Sequence, residues 1–110
     1  MSDIAEPSII VDVWVVSEDS QEEFMQALVA AFERLRTLEG FVDGQILKGV
    51  NPTLFVSYAT MRSARERDAA FLDGELMALM RSIGGIARAS PHSYTIARRF
   101  TPAAPRQDGH

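Results

Sequence analysis

A tight junction between a helix and a strand constrains the fold of this chain more than any other feature of its sequence. An apolar helical stripe ends near Leu38, Gly40 follows it, and a strand-forming run begins at Phe41. A helix that ends in this way needs a residue in the left-handed backbone region, which glycine adopts without steric cost. The pattern therefore predicts an α-to-β joint at Gly40 that fixes how the helix lies on its sheet.

The first strand is predicted over residues 8–16, a run dense in β-branched side chains. Alternation divides it into two largely apolar faces, so we expect helices to cover one face and a second sheet or a second subunit to cover the other. The first face carries Ile9, Val11, Val13 and Val15, and the second carries Ile10, Asp12, Trp14 and Val16.

Two helices are predicted from their first turns. Ser20 and Glu23 have the spacing of a capping box, and Ser63 and Glu66 repeat it. The second helix is expected to break at residues 73–74 and to end at the glycine pair 84–85. The apolar stripe of the first helix has helical spacing and consists of Phe24, Leu28, Ala31, Phe32 and Leu35.

The remaining strands complete a recognisable order. A hairpin is predicted from residues 41–48 and 53–60, and a fourth strand from residues 93–100, with residues 86–91 as a connector. The order β-α-β-β-α-β is the ferredoxin-like arrangement of the α+β class, with a four-stranded antiparallel sheet. Because its helices lie on one face only, the bare apolar face predicts a homodimer.

The chain has 110 residues, enough for one domain and one core. We expect that domain over residues 8–100, a flexible N-terminal arm over 1–7 and a disordered tail over 101–110. No segment has the pattern of a signal peptide or a membrane span, so the protein is predicted to be cytoplasmic, with no membrane partner.

Composition excludes several function classes. The sequence has no cysteine, which rules out thiolate nucleophiles and cysteine-ligated metals. Its two histidines, His92 and His110, cannot build a multi-histidine metal site within one chain. The net charge is -4 with no long basic run, so nucleic acid is not expected as a partner. We therefore predict no metal site.

Three short stretches resemble the antibiotic biosynthesis monooxygenase family of the dimeric α+β barrel superfamily. They are Leu-Glu-Gly-Phe at 38–41, Phe-Val-Ser-Tyr at 55–58 and Ser-Ala-Arg-Glu at 63–66. The similarity extends over about residues 8–100. It implies a homodimer whose two sheets pack face to face, with a pocket between each sheet and its own helices.

The resemblance also implies a chemistry. Members of this family include cofactor-free oxygenases that convert polyketide anthrones or hydroquinones to quinones, and haem-degrading oxygenases. In the cofactor-free members a deprotonated, electron-rich substrate gives an electron to O2, while the protein supplies a pocket and a proton acceptor. The family's usual asparagine of the first strand falls at Asp12, its third-strand asparagine at Ser57, its tryptophan at Met61 and its helix histidine near Phe71. The missing histidine argues against haem degradation.

Asp12 is the strongest candidate for a catalytic group. It shares a strand face with Trp14, where a desolvated carboxylate would have a raised pKa and could act as a general base. The alternative is a structural ion pair with one of five arginines, namely Arg62, Arg65, Arg67, Arg81 or Arg88.

Asp68 and His92 are further catalytic candidates, for binding substrate hydroxyls and for relaying protons. An arginine pair for Asp68 and an exposed loop position for His92 are the competing interpretations. The residues predicted to shape a substrate pocket are Trp14, Phe55, Ser57, Met61 and Phe71. Trp14 could equally belong to the core or to a dimer interface, and the spacing of Phe55, Met61 and Phe71 indicates core positions first of all.

Three functions remain open at this point. The first is a cofactor-independent monooxygenase that acts on an aromatic polyketide-like molecule and O2. The second is a polyketide cyclase or isomerase that uses Asp12 for proton transfer without O2. The third is a non-catalytic, small-molecule-binding accessory dimer.

Overall fold

The structure is a computed structural model that describes residues 6–104. It has the predicted α+β architecture, a four-stranded antiparallel sheet in the order β2-β3-β1-β4 with helices on one face. None of the helices within residues 6–104 combines the length and the apolar character that a membrane-spanning segment needs. The elements are β1 (Ser8–Val16), α1 (Gln21–Leu35), β2 (Phe41–Lys48), β3 (Leu54–Met61), α2 (Ala64–Ala70), α3 (Gly74–Gly84) and β4 (Ala87–Tyr94).

The joint between α1 and β2 has the predicted geometry. Gly40 has a φ of 91°, in the left-handed region. A Cβ atom at this position would also lie 2.6 Å from the Cβ atom of Glu66 on α2. Glycine is therefore required here both for the turn of the chain and for the close approach of the neighbouring helix.

Both helices begin where the sequence predicts, but only one of the two predicted capping hydrogen bonds is formed. Ser63 caps α2, since its Oγ accepts a hydrogen bond from the Glu66 backbone N–H at 3.2 Å. The predicted break is also confirmed, because Asp73 caps a separate helix, α3. Ser20 does precede α1, but its side chain makes no cap hydrogen bond. A short 3-10 turn, Glu18–Ser20, comes before α1 and gives Ser20 a φ of -109°, so the predicted capping box is wrong there.

The predicted position of the fourth strand is wrong at both ends. β4 begins at Ala87, opposite Val16, and ends at Tyr94, opposite Ile9, so most of residues 86–91 belongs to the strand and residues 95–100 do not. Pro91, the last residue of the predicted connector, lies inside β4. This is possible because β4 is an edge strand of the described sheet, where a residue without an N–H can be accommodated on the unpaired side.

The two faces of β1 are as alternation predicts. The helix-facing side chains of Ile10, Trp14 and Val16 are buried, whereas Val13 and Val15 are 47% and 55% exposed on the outer face. The core between sheet and helices includes a run of three aromatic rings. The centroid of the Phe24 ring lies 5.4 Å from the centroid of the Trp14 ring and 5.0 Å from that of the Phe55 ring.

The two ends of the chain remain predictions. Residues 1–5 of the proposed arm and residues 105–110 of the proposed tail, including His110, lie outside the described residues. Residues 101–104, which are described, have no regular secondary structure and are exposed.

Candidate functional site

A small cavity lies between the sheet and the helices, on the face of β1 that carries Asp12. Its volume is about 30 Å³, enough for one or two water molecules, so a larger ligand must displace side chains. The sheet contributes Ile10, Asp12, Trp14, Ser57 and Ala59 to its lining. The helical side contributes Leu28, Ala31, Phe32, Leu35, Phe71, Leu76 and Met80.

Asp12 is the one charged side chain that lines this cavity. It stands at the middle of β1, directly opposite Ser57 on β3, and only 7% of its surface is exposed. Its Oδ1 atom is buried without a hydrogen-bond partner in the part of the chain that the structure describes. None of the ion pairs among residues 6–104 includes Asp12, so the arginine pair considered for it is not formed.

The surroundings of Asp12 change its acidity. Burial raises the pKa of the Asp12 carboxyl above its ordinary value of 3.8, and the charge of His92 opposes part of that rise. Desolvation is the larger of the two effects because it disfavours the ionised form in an apolar pocket. A carboxylate in this state is a stronger proton acceptor than an exposed one.

Trp14 and Ser57 form the polar wall beside Asp12. The indole Nε1–H of Trp14 donates a hydrogen bond of 2.9 Å to Ser57 Oγ, and both groups are buried. This bond uses one acceptor position of the hydroxyl, whose own proton remains free to donate. The pair thus fixes the plane of the indole and leaves a donor beside the Asp12 carboxylate.

Phe55 and Met61 share the face of Asp12 but do not line the cavity. Phe55 is 2% exposed and packs against Phe24, and Met61 is fully buried at the end of β3. Both side chains are core residues in this structure. Phe71, at the end of α2, does line the cavity, as do Trp14 and Ser57.

Asp68 and His92 lie away from the cavity. The Asp68 side chain is 69% exposed and accepts two hydrogen bonds from the Arg67 guanidinium, at 3.0 and 2.9 Å. His92 is exposed and stands opposite Val11, which belongs to the outer face of the sheet. Alternation along β4 therefore directs the imidazole to the side opposite Asp12. Neither residue is placed to exchange a proton with a ligand in the cavity.

Several lining residues were not among the predicted site residues. Phe32 and Leu28 belong to the apolar stripe of α1, and Leu76 and Met80 to that of α3. Helical spacing indicates that these side chains face the sheet, but it does not tell which of them border a gap. Among the described residues no cluster of three or more histidine, cysteine or acidic side chains could hold a metal ion.

Comparison with solved structures confirms the fold that the sequence resemblance implies. SnoaB, a cofactor-independent oxygenase from Streptomyces nogalater, superposes with a TM-score of 0.82 at 15% identity, over 90% of this chain and 100% of that one. A protein from Nitrosomonas europaea provisionally assigned as an antibiotic biosynthesis monooxygenase gives 0.76 at 16% identity, over 88% and 96%. A conserved protein of unknown function from Bacteroides thetaiotaomicron gives 0.78 at 13% identity, over 83% and 98%.

These similarities establish the shape of the chain and not its reaction. No family model matches the sequence, and no curated protein matches it. The chain has the fold of the antibiotic biosynthesis monooxygenases, at identities too low to transfer any residue's role.

Proposed function

We propose that this protein is a cofactor-independent monooxygenase that oxidises an aromatic, polyketide-like anthrone or hydroquinone to a quinone. The observation that carries the proposal is the buried Asp12 carboxylate, whose Oδ1 has no partner among residues 6–104 and borders an apolar cavity. The fold shared with a cofactor-independent oxygenase supports the same reaction class.

In the proposed reaction Asp12 removes a proton from the activated carbon or hydroxyl of the substrate. The resulting electron-rich anion gives one electron to O2, and the two radicals combine to form a peroxide on the substrate. The peroxide takes up a proton and loses water to give the carbonyl. For an anthrone, one CH2 group and one O2 thus yield one C=O group and one water molecule, with no external reductant.

The neighbouring groups have distinct roles in this proposal. The Trp14 ring, held by its bond to Ser57, provides a flat apolar wall for an aromatic ligand. The free proton of the Ser57 hydroxyl donates to a substrate oxygen next to the reacting carbon. Because the cavity measures about 30 Å³, the half-buried side chains of Phe32, Phe71 and Met80 must move when such a ligand binds.

We further propose that the protein acts as a homodimer. Val13 and Val15 of β1, together with Leu47 and Leu54 of the hairpin, form an exposed apolar strip on the outer face of the sheet. No element among residues 6–104 covers this strip, and a second copy of the same sheet presents a complementary surface.

The function is tested with 1,8-dihydroxyanthrone, aerobically and in an anaerobic chamber, without added flavin or metal. We expect conversion to the anthraquinone in air and no conversion without O2. Turnover without O2 would replace the proposal with the proton-transfer alternative. Binding of the anthrone without chemical change in air would replace it with the accessory-protein alternative.

A further inference from the structure

A surface groove runs along α1 and β2, on the side of α1 that faces away from α3. Its volume is about 460 Å³, within the range of small-molecule sites, and it is open to solvent. Val29 and Phe32 from α1, with Phe41 and Ile46 from β2, give it an apolar floor.

Phe32 separates this groove from the Asp12 cavity. It is the only residue in the described part of the chain that lines both spaces, and its side chain is half-buried. A single aromatic ring thus divides a small volume of about 30 Å³ from a larger, more open one of about 460 Å³.

Gly44 of β2 leaves the space in which the Phe32 ring lies. A Cβ atom at Gly44 would lie only 2.7 Å from Phe32 Cε1 and 3.0 Å from the Tyr58 carbonyl oxygen. Glycine inside a strand costs backbone entropy and commonly marks a close approach of another group. Here it provides the space that the ring occupies.

The wall of the cavity between α1 and α3 is held together by hydrogen bonds between charged groups. Arg34 of α1 donates two hydrogen bonds to the Asp73 carboxylate, at 2.9 and 2.7 Å. The same carboxylate accepts from the Leu76 N–H at the start of α3. Opening the cavity between α1 and α3 would strain this charge-assisted network, whereas opening it past Phe32 displaces a side chain that makes no hydrogen bond.

We propose that the α1–β2 groove is a second ligand subsite and that Phe32 is the gate between this groove and the Asp12 cavity. This inference rests on the proposed function for its ligand, a flat aromatic molecule longer than the cavity. The reacting ring lies beside Asp12 and the remaining rings lie in the groove.

The charged side chains that line the groove determine which chemical groups are favourable at the outer end of that ligand. Glu33 and Arg36 lie within 3.3 Å of each other and offset one another, which leaves the Asp43 carboxylate as the uncompensated charge of the lining. A neutral outer end with hydroxyl groups therefore binds there in preference to a carboxylate.

The gate is tested through Trp14, the only tryptophan of the chain, which lies 4% exposed in the cavity wall. Acrylamide quenching of its fluorescence measures access to the cavity without any turnover. We expect a several-fold higher quenching constant for Phe32→Ala and an intermediate one for Phe32→Leu. Val29→Ala, one turn earlier on α1, is the matched control and should quench like the wild type.

Circular dichroism and urea titration identify variants that have lost their fold. If both folded Phe32 variants quench like the wild type, Phe32 is not the gate. This result is independent of catalysis. If the proposed function failed, anthrone oxidation would be absent, but acrylamide quenching would still increase in the Phe32 variants.

The subsite is tested with 1,8-dihydroxyanthraquinone, which cannot undergo the reaction. Val29→Asp should weaken its binding at least several-fold while leaving acrylamide quenching unchanged. The 3-carboxylate of the same quinone should bind the wild type more weakly than the parent, and Asp43→Asn should reduce that difference. Unchanged affinity in Val29→Asp would overturn the subsite.

Discussion

Replacing Asp12 with asparagine should stabilise the folded protein at neutral pH. The wild type buries a carboxyl group whose Oδ1 has no partner among the described residues, and that burial raises its pKa above 3.8. An unpaired buried polar group costs about 1–3 kcal/mol. Asparagine keeps the shape and removes the charge but remains polar, so we expect a gain of about 1 kcal/mol, the lower end of that range.

The gain must depend on pH in a definite direction. Between pH 3.8 and the raised pKa of Asp12, the folded state binds more protons than the unfolded state, so the wild type loses stability as the pH rises through this window. Below pH 3.8 the carboxyl is neutral in both states. The advantage of Asp12→Asn should therefore be full above the raised pKa and should shrink on acidification to the bottom of this window.

Urea titration at one fixed protein concentration measures this difference, since the stability of the proposed dimer would depend on concentration. At a urea dependence of about 2 kcal/mol per molar, the midpoint of Asp12→Asn should lie about 0.5 M above that of the wild type at pH 7. Asp43→Asn, which removes an exposed carboxylate from β2, is the control and should show no such shift. An Asp12→Asn midpoint equal to or below the wild type's at pH 7 would refute the argument.

Three further perturbations have expected outcomes. Asp73→Asn should destabilise the protein at pH 7, because the Arg34 guanidinium lowers the pKa of the wild-type carboxyl from 3.8 to about 2. The difference should shrink as the pH falls from 3.8 toward 2 and acid protonates this carboxyl. Thermal melts between pH 2 and 7 measure this, and a constant difference would contradict it. Gly40→Ala should cost more than about 1 kcal/mol in urea titration, because alanine is strained at a φ of 91° and meets Glu66; a neutral effect would contradict it. Val13→Lys should convert a dimer into a monomer in light scattering, and an unchanged mass would remove this face from the proposed interface.

Alternation along β1 was sufficient to predict that Asp12 and Trp14 share one face of the sheet. Asp12 and Trp14 differ by two positions, so any strand through them places both side chains on the same side, and the burial of both residues confirms it. The helix stripes were equally informative, because apolar spacing fixes which face of a helix meets a sheet. These features depend only on local geometry.

The position of β4 required information that no local pattern contains. A proline inside a strand is compatible only with an edge, and which strand forms the edge is decided by the order β2-β3-β1-β4. With the strand placed too late along the chain, the side of the sheet that His92 faces could not be assigned. Its pairing with Val11 settles that side.

Sequence patterns also could not predict which apolar side chains are packed in the core and which line the cavity. Phe55 and Phe32 are both apolar residues directed to the same layer, yet one packs against Phe24 and the other borders the gap. That outcome depends on how closely α1 approaches β2, which Gly44 influences by leaving room for a ring. Packing in three dimensions, and not periodicity, determines where space remains.

The central claim is that Asp12 accepts the substrate proton in an O2-dependent oxidation, and an oxygen electrode tests it most directly. With 1,8-dihydroxyanthrone at pH 7 we expect the wild type to consume one O2 per anthrone converted. Asp12→Asn should lose about 100-fold or more of that rate, as expected for removal of a general base, while Asp19→Asn, which removes an exposed carboxylate from the turn before α1, keeps it. Oxygen consumption by Asp12→Asn at the wild-type rate would contradict the account.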